Sequence, residues 1–133
     1  MSAADTVVLV RAGELRLSAA QTPGMVRREA FADGDAWVGL VTTEASMASA
    51  WHHHAGYDTY IHVLEGRLSM ESGVGGTHVV EAAAGDFLRV PPGAIHRETN
   101  PELTRARLVI VRVGSGAPVV NVDSPAQEED SPP

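Results

Sequence analysis

The sequence predicts an all-β domain, either a sandwich or a barrel. Short runs of β-branched and aromatic residues recur along the chain, and clusters of glycine, proline and aspartate separate them. No segment shows a sustained apolar repeat of 3.6 residues bounded by helix caps. Many short strands between turns are typical of sandwiches and barrels, so we expect one β architecture rather than an alternation of strands and helices.

The predicted strands follow one another from the amino end. Weak candidates lie at residues 7–10 and 14–17, and stronger ones at 37–43, 59–65, 77–81, 87–90 and 106–113. The strand at 106–113 carries arginine toward its ends and is wholly apolar at its centre, which indicates cover on both faces there. Turn signals separate these runs at 33–35, 65–66, 73–76, 84–86 and 91–93.

Length and charge distribution predict one folded domain followed by a tail. A chain of 133 residues can bury a single core, and we place one domain at residues 1–120. Residues 121–133 are polar, acidic and contain proline, so they cannot bury enough apolar surface to order themselves. We therefore expect a disordered acidic tail at 121–133.

Composition excludes several classes of function. The net charge of −7 argues against a nucleic-acid partner, and no apolar run is long enough to span a membrane. The first residues lack the basic and apolar regions of a secretory signal, so we expect a cytoplasmic protein. Cysteine is absent and all ten basic residues are arginine, which excludes cysteine nucleophiles and lysine Schiff bases.

Three histidines in two separated segments indicate a metal site. His52 and His54 are two residues apart, so on a strand they point to the same face while His53 points away. His96, far downstream, can supply a third imidazole from another strand. Imidazole suits Zn, Cu, Fe and Ni, and three protein ligands leave a position open for water or substrate. We therefore predict one divalent transition metal ion held by His52, His54 and His96.

The spacing of these residues resembles the two motifs of the cupin superfamily. The second motif is matched in full, by Gly85, Pro91, Gly93, His96 and Asn100. The first is matched by His52, His54 and Gly66, and it lacks its leading glycine. The resemblance implies a small single-domain cupin, an all-β double-stranded β-helix (jelly-roll barrel), with a three-histidine variant of the metal site.

The resemblance leaves the fourth metal ligand open. Thr59 stands where the family usually has a glutamate, and a threonine hydroxyl is a poor ligand that can still hydrogen-bond a metal-bound water. A shorter spacing would put Asp58 near that position. His62 is three residues beyond Thr59, so an unbroken strand turns it to the opposite face and a bulge would reverse this.

The ligand set is similar to that of the diketone-cleaving and thiol-oxidising cupin dioxygenases. We therefore expect a metal-dependent enzyme acting on a small-molecule substrate, first of all a non-haem iron dioxygenase-type oxidoreductase. Iron is the expected metal, with Zn, Ni, Mn and Cu as alternatives. The alternative functions are a redox-neutral isomerase, cyclase or lyase, and a non-catalytic module that binds a small molecule.

Several other residues carry secondary expectations. Tyr57 and Asp58 follow His54 at the predicted barrel mouth and are the candidate catalytic acid or base. Arg89 and Arg97 could bind a carboxylate, although solvated arginine is the simpler interpretation. Exposed sheet edges favour a homodimer, for which the early strands are the candidate interface. Methionines are expected in the core, at Met25, Met47 and Met70.

Overall fold

The computed structural model describes residues 5–127, and its regular secondary structure is almost entirely antiparallel β-strand. A short 3₁₀ turn at Ala12–Glu14 precedes the first strand. Sheet A has the strand order β1-β2-β3-β11-β6-β9, and sheet B has the order β12-β5-β10-β7-β8 with β4 paired to β10. The predicted all-β class is confirmed.

The strand bounds are as follows. Sheet A contains β1 (Arg16–Leu17), β2 (Met25–Asp33), β3 (Ala36–Thr43), β6 (Asp58–Glu65), β9 (Phe87–Val90) and β11 (Ala106–Val113). Sheet B contains β4 (Met47–Ala48), β5 (His52–His53), β7 (Arg67–Ser72), β8 (His78–Ala83), β10 (His96–Asn100) and β12 (Val120–Asn121). The predicted strands at 37–43, 59–65, 77–81, 87–90 and 106–113 correspond to β3, β6, β8, β9 and β11.

The core lies between the two sheets. Strands β3 and β11 alternate buried and half-buried residues along most of their length, as two-sheet packing requires. The buried apolar residues come from both sheets: Met25, Trp37, Val41, Ile61, Val63, Leu68, Met70, Ala82, Val90, Ala106, Leu108 and Ile110. Met25 and Met70 are in the core as predicted. The prediction for Met47 is wrong, because it lies on the short strand β4 and is 37% exposed.

The sequence did not indicate strands β2 and β7, because their alternation of apolar and polar residues is irregular. β2 places the charged Arg27 on its inner face, and the pairing register shifts between Glu29 and Phe31, so the apolar alternation is broken. β7 offers little more than Leu68 and Met70 to the core. Residues 7–10, in contrast, form no strand, and Val7, Val8 and Leu9 are 62–100% exposed.

The end of the described chain stays attached to sheet B. β12 pairs with β5, and Ala126 forms an isolated bridge with Val74. The sheet therefore continues past residue 120, where we placed the end of the domain. The disordered tail stays a prediction, and residues 128–133 lie outside the described residues. Among residues 5–127, no helix is long and apolar enough to cross a membrane.

Candidate metal centre

The three predicted ligand histidines meet inside the barrel. His96, the first residue of β10, is paired directly across from His52 on β5. The ring centroids of His52 and His96 are 4.2 Å apart, and the ring of His54 lies 5.2 Å from the first and 5.1 Å from the second. One ring nitrogen from each residue lies within 4.8 Å of the other two. His53 is only half-buried and its Nδ1 accepts the backbone N–H of Ala55, as expected of a residue out of phase.

Turns in both motifs set this geometry. Gly93 has a φ of +72° in the loop that leads to β10, and its N–H donates to the carbonyl of Ala55, at 2.7 Å. The loop of the second motif is thus tied to the turn that follows His54. At the far end of β10, the Asn100 amide makes four hydrogen bonds to the backbone of the neighbouring loops. Both ends of the His96 strand are therefore held in place.

Each ligand histidine has its other ring nitrogen committed to a backbone carbonyl. Nδ1 of His52 bonds the carbonyl of Ala50, that of His54 the carbonyl of Pro118, and that of His96 the carbonyl of Ala94, each at 2.9 Å. A carbonyl only accepts, so each Nδ1 carries the proton and each Nε2 keeps a free lone pair. Nε2 of His52 is buried and has no hydrogen-bond partner among residues 5–127. This donor set fits a metal ion, because ligand histidines characteristically donate their second ring N–H in this way.

Burial keeps the three imidazoles neutral. Desolvation, followed by the electrostatic effect of His96 and of the buried arginines, lowers the pKa of His52 to about 2 and that of His54 to about 3. Desolvation also lowers the pKa of His96, to about 4. Neutral imidazole is the form that binds a metal. Protons therefore compete little for these ligand atoms at neutral pH.

Of the three candidates for a fourth ligand, the structure brings Thr59 to the histidines. Thr59 is 1% exposed and faces the interior on β6, and no described residue forms a hydrogen bond with its Oγ1. It borders the same small cavity as His54 and His96. Asp58 is half-buried and forms an ion pair with Arg89, and His62 stacks on Phe87 with ring centroids 4.3 Å apart. β6 keeps its register through these residues, so Asp58 and His62 lie on the outer face.

The other candidate residues lie elsewhere. Tyr57 borders a separate cavity of about 290 Å³, together with Trp37 and Pro118. Pro118 connects this cavity to the metal centre, because its carbonyl accepts hydrogen bonds from both His54 and Arg112. Arg97 forms an ion pair with Glu71 at 2.9 Å and stacks on Trp51.

Sequence analysis missed three buried charged residues at this site. Arg27, Glu98 and Arg112 are each 1% exposed and border the cavity that His54 and His96 also border. Glu98 is two residues after His96 and so lies on the same face of β10, a signal that could have identified it. Its carboxylate accepts a hydrogen bond of 2.6 Å from the Thr43 hydroxyl, and burial raises its pKa.

Two spaces adjoin the histidines. The interior cavity has a volume of about 10 Å³, room for one water-sized group. A larger groove of about 240 Å³ lies between the edge strands β8 and β9 and reaches His96. Its lining is mainly apolar, with Met70, Val80 and Leu88 on its walls. His96 therefore stands between a groove of small-molecule size and the interior of the barrel.

The chain belongs to the cupin domain family, whose family model matches residues 39–112. This range contains both histidine segments, and the predicted double-stranded β-helix is confirmed. No protein of the curated set matches the sequence.

Solved structures support the same fold. One is a protein with a double-stranded β-helix domain from Klebsiella pneumoniae, 18% identical with a TM-score of 0.68, covering 90% of this chain and 100% of that one. Another is the polyketide cyclase RemF from Streptomyces resistomycificus, 17% identical with a TM-score of 0.69, covering 88% and 86%. The Drosophila melanogaster CENP-C domain is 16% identical with a TM-score of 0.66, covering 84% and 83%. At these identities the similarity shows the fold alone.

Proposed function

We propose that this cupin is a metal-dependent enzyme that binds one divalent transition ion through His52, His54 and His96 and acts on a small molecule. The observation that carries the proposal is the state of the three imidazoles. Each is buried and has its Nδ1 proton directed at a carbonyl, and one ring nitrogen from each lies within 4.8 Å of the others. Such an arrangement is costly without a cation, because buried polar atoms are normally hydrogen-bonded.

We favour a non-haem iron dioxygenase-type oxidoreductase. Thr59 replaces a carboxylate, so the protein contributes three neutral ligands and no negative charge to the centre. When bound there, Fe(II) would supply a redox-active Lewis acid with open positions. The chain's own contribution is to hold the ligands, to offer the Thr59 hydroxyl as a hydrogen-bond partner, and to exclude bulk water by burying the residues that line the cavity.

The groove between β8 and β9 supports a small-molecule substrate. Its volume of about 240 Å³ and its mainly apolar walls fit a compact organic molecule. His96 borders this groove, so a molecule bound there would approach the metal centre from between the edge strands β8 and β9.

A redox-neutral isomerase, cyclase or lyase is the second candidate, and one observation favours it. Glu98 borders the interior cavity and burial raises its pKa, which favours the protonated carboxyl group that a general acid requires. Of the two residues that we predicted as acid or base, Tyr57 keeps that proposed role, from the separate cavity that it shares with Pro118. Asp58 has its carboxylate held by Arg89 on the outer face, and Glu98 replaces it as the proposed acid.

Metal analysis followed by substrate screening tests the proposal. The purified protein is analysed for bound metals, then reconstituted with Fe(II) and tested for oxygen uptake with diketones, catechols and thiols. We expect close to one metal ion per chain, lost in His96→Ala and kept in His53→Ala, which changes a histidine in the same segment as the ligands but out of phase. Zinc that restores a non-oxidative activity would favour the second candidate. A loaded protein that binds small molecules without turnover would be a non-catalytic module.

We also propose a homodimer formed through the early strands. β1 forms one edge of sheet A, Leu17 is 69% exposed, and the preceding Val7 and Leu9 are 100% and 66% exposed. Apolar residues beside an open sheet edge favour pairing with a second copy. Light scattering at micromolar concentration gives the mass, and a monomer would contradict this proposal.

A further inference from the structure

The interior of the barrel holds two arginines, Arg27 and Arg112, that form no ion pair with any described residue. From this we propose that Arg27 and Arg112 form an anion-binding subsite beside the three histidines, which receives one oxygen of a substrate carboxylate. The inference rests on the proposed function and specifies the substrate class: a small carboxylic acid whose charged group enters the barrel.

The two guanidinium groups are buried and only partly hydrogen-bonded. Both side chains are 1% exposed, and within residues 5–127 neither forms an ion pair. Arg27 donates to the Thr22 hydroxyl at 2.8 Å, and Arg112 donates to the carbonyl of Pro118 at 2.6 Å. Nε of Arg112 is buried and has no hydrogen-bond acceptor in the part of the chain that the structure describes. Donors of a guanidinium that remain unsatisfied in the interior are available to a ligand.

Among residues 5–127, the charged groups that line the cavity are two guanidinium groups and one carboxyl group. Burial lowers the pKa of each guanidinium to about 10, so both are protonated at neutral pH. Among the described residues that border the cavity, Glu98 supplies the carboxyl group, and burial raises its pKa. The interior therefore has excess positive charge whether Glu98 is ionised or not. Unpaired buried charge is strongly unfavourable, and a bound anion would compensate it.

The position and the size of the cavity favour a carboxylate oxygen as its occupant. Arg27 and Arg112 border the same cavity of about 10 Å³ as His54, His96 and Thr59. This space holds one water-sized group, so it admits a single oxygen rather than a whole molecule. Guanidinium groups match the planar geometry of carboxylates. A carboxylate would thus be held between the arginines and the metal centre while the rest of the molecule stays outside.

The structure contains a reporter for this subsite. Cζ of Arg112 lies 4.3 Å from the centroid of the Trp37 ring, so a charge bound to Arg112 should change the fluorescence of that indole. Trp51, the other tryptophan, stacks on Arg97 and is removed by Trp51→Phe. In this background the protein is titrated with formate, acetate and fluoride, once after EDTA treatment and once after metal loading. We expect saturable responses to formate and acetate in both states.

A matched pair of variants assigns the response. Arg27→Gln removes one guanidinium and leaves the Arg112–Trp37 stack in place, and it should weaken formate binding by about tenfold or more. Arg28→Gln changes the adjacent, exposed arginine of the same strand and should leave the affinity within about twofold of its parent. Circular dichroism verifies folding. If Arg27→Gln does not fold, Arg112→Lys is measured by calorimetry instead, with the same loss of affinity expected.

The outcomes separate this subsite from the metal site. Formate binding to the EDTA-treated protein that is lost in Arg27→Gln supports the subsite, even if no metal binds and the proposed function fails. No saturable response in either state overturns it. A response confined to metal-loaded protein and unchanged in Arg27→Gln also overturns it, because the anion then sits on the metal. Binding of fluoride without formate or acetate indicates a halide site and overturns the carboxylate assignment.

Discussion

Acidification should destabilise the metal-free protein through its three buried histidines. In the folded state the pKa values of His52, His54 and His96 are lowered to about 2, 3 and 4, whereas an unfolded histidine has a pKa near 6.5. Between the folded and unfolded pKa values the unfolded chain binds more protons, so stability rises with pH. The stabilisation is present above pH ~6.5 and is lost as the pH falls toward the folded values.

The magnitude follows from the linkage relation. From pH 7 to pH 5 each imidazole takes up about 0.7 proton in the unfolded chain and almost none in the folded protein, which costs about 2 kcal/mol per residue. The three together cost about 6 kcal/mol, a large part of the ~5–15 kcal/mol that stabilises a typical domain. Glu98 acts in the opposite direction, because its raised pKa makes the folded state bind the extra proton.

Urea unfolding followed by circular dichroism measures this effect. EDTA-treated protein is unfolded at pH 7, 6 and 5, in the Glu98→Gln background to remove the opposing group. His96→Gln should reduce the pH-dependent loss by about one third. His78→Gln, which changes an exposed histidine, should leave it unchanged. A free energy of unfolding that stays within about 1 kcal/mol between pH 7 and pH 5 would refute the reasoning.

Three further substitutions test other parts of the site. Thr59→Val removes a buried hydroxyl that has no hydrogen-bond partner among the described residues. It should stabilise EDTA-treated protein by about 1 kcal/mol, measured by urea unfolding. A loss of stability would show that the hydroxyl forms a hydrogen bond in the folded protein. Asn100→Ala removes an amide with four hydrogen bonds and should cost about 2–4 kcal/mol, measured by thermal unfolding against Thr99→Ala on the opposite face. Asp58→Asn should leave metal content and turnover unchanged, because that carboxylate faces Arg89; a marked loss of turnover would return Asp58 to the catalytic residues.

Local pattern predicted much of this structure. Strands β9 and β11 have the bounds that β-branched and aromatic residues indicated, because their side chains alternate between a packed and an outer face. Strand β2 could not be recognised in the same way. Its inner face carries Arg27, and its register shift near Phe31 interrupts the alternation on which such recognition depends.

The candidate site was likewise only partly predictable from local spacing. His52 and His54 could be paired from their spacing alone, since residues two apart on a strand share a face. The choice among Thr59, Asp58 and His62 needed the actual register of β6, because a bulge of one residue would have exchanged them. The free Nε2 of each ligand histidine depends on backbone carbonyls, which carry no sequence signal.

Residue types at short, regular intervals were enough to predict the all-β class, the cupin resemblance and the three ligand histidines. The position of Arg27, Glu98 and Arg112 around the same cavity as His54 and His96 became known from the folded chain. Arg27 lies on β2, far along the chain from Glu98 on β10 and Arg112 on β11. Their burial runs against the usual exposure of charged residues, so only long-range packing could reveal it.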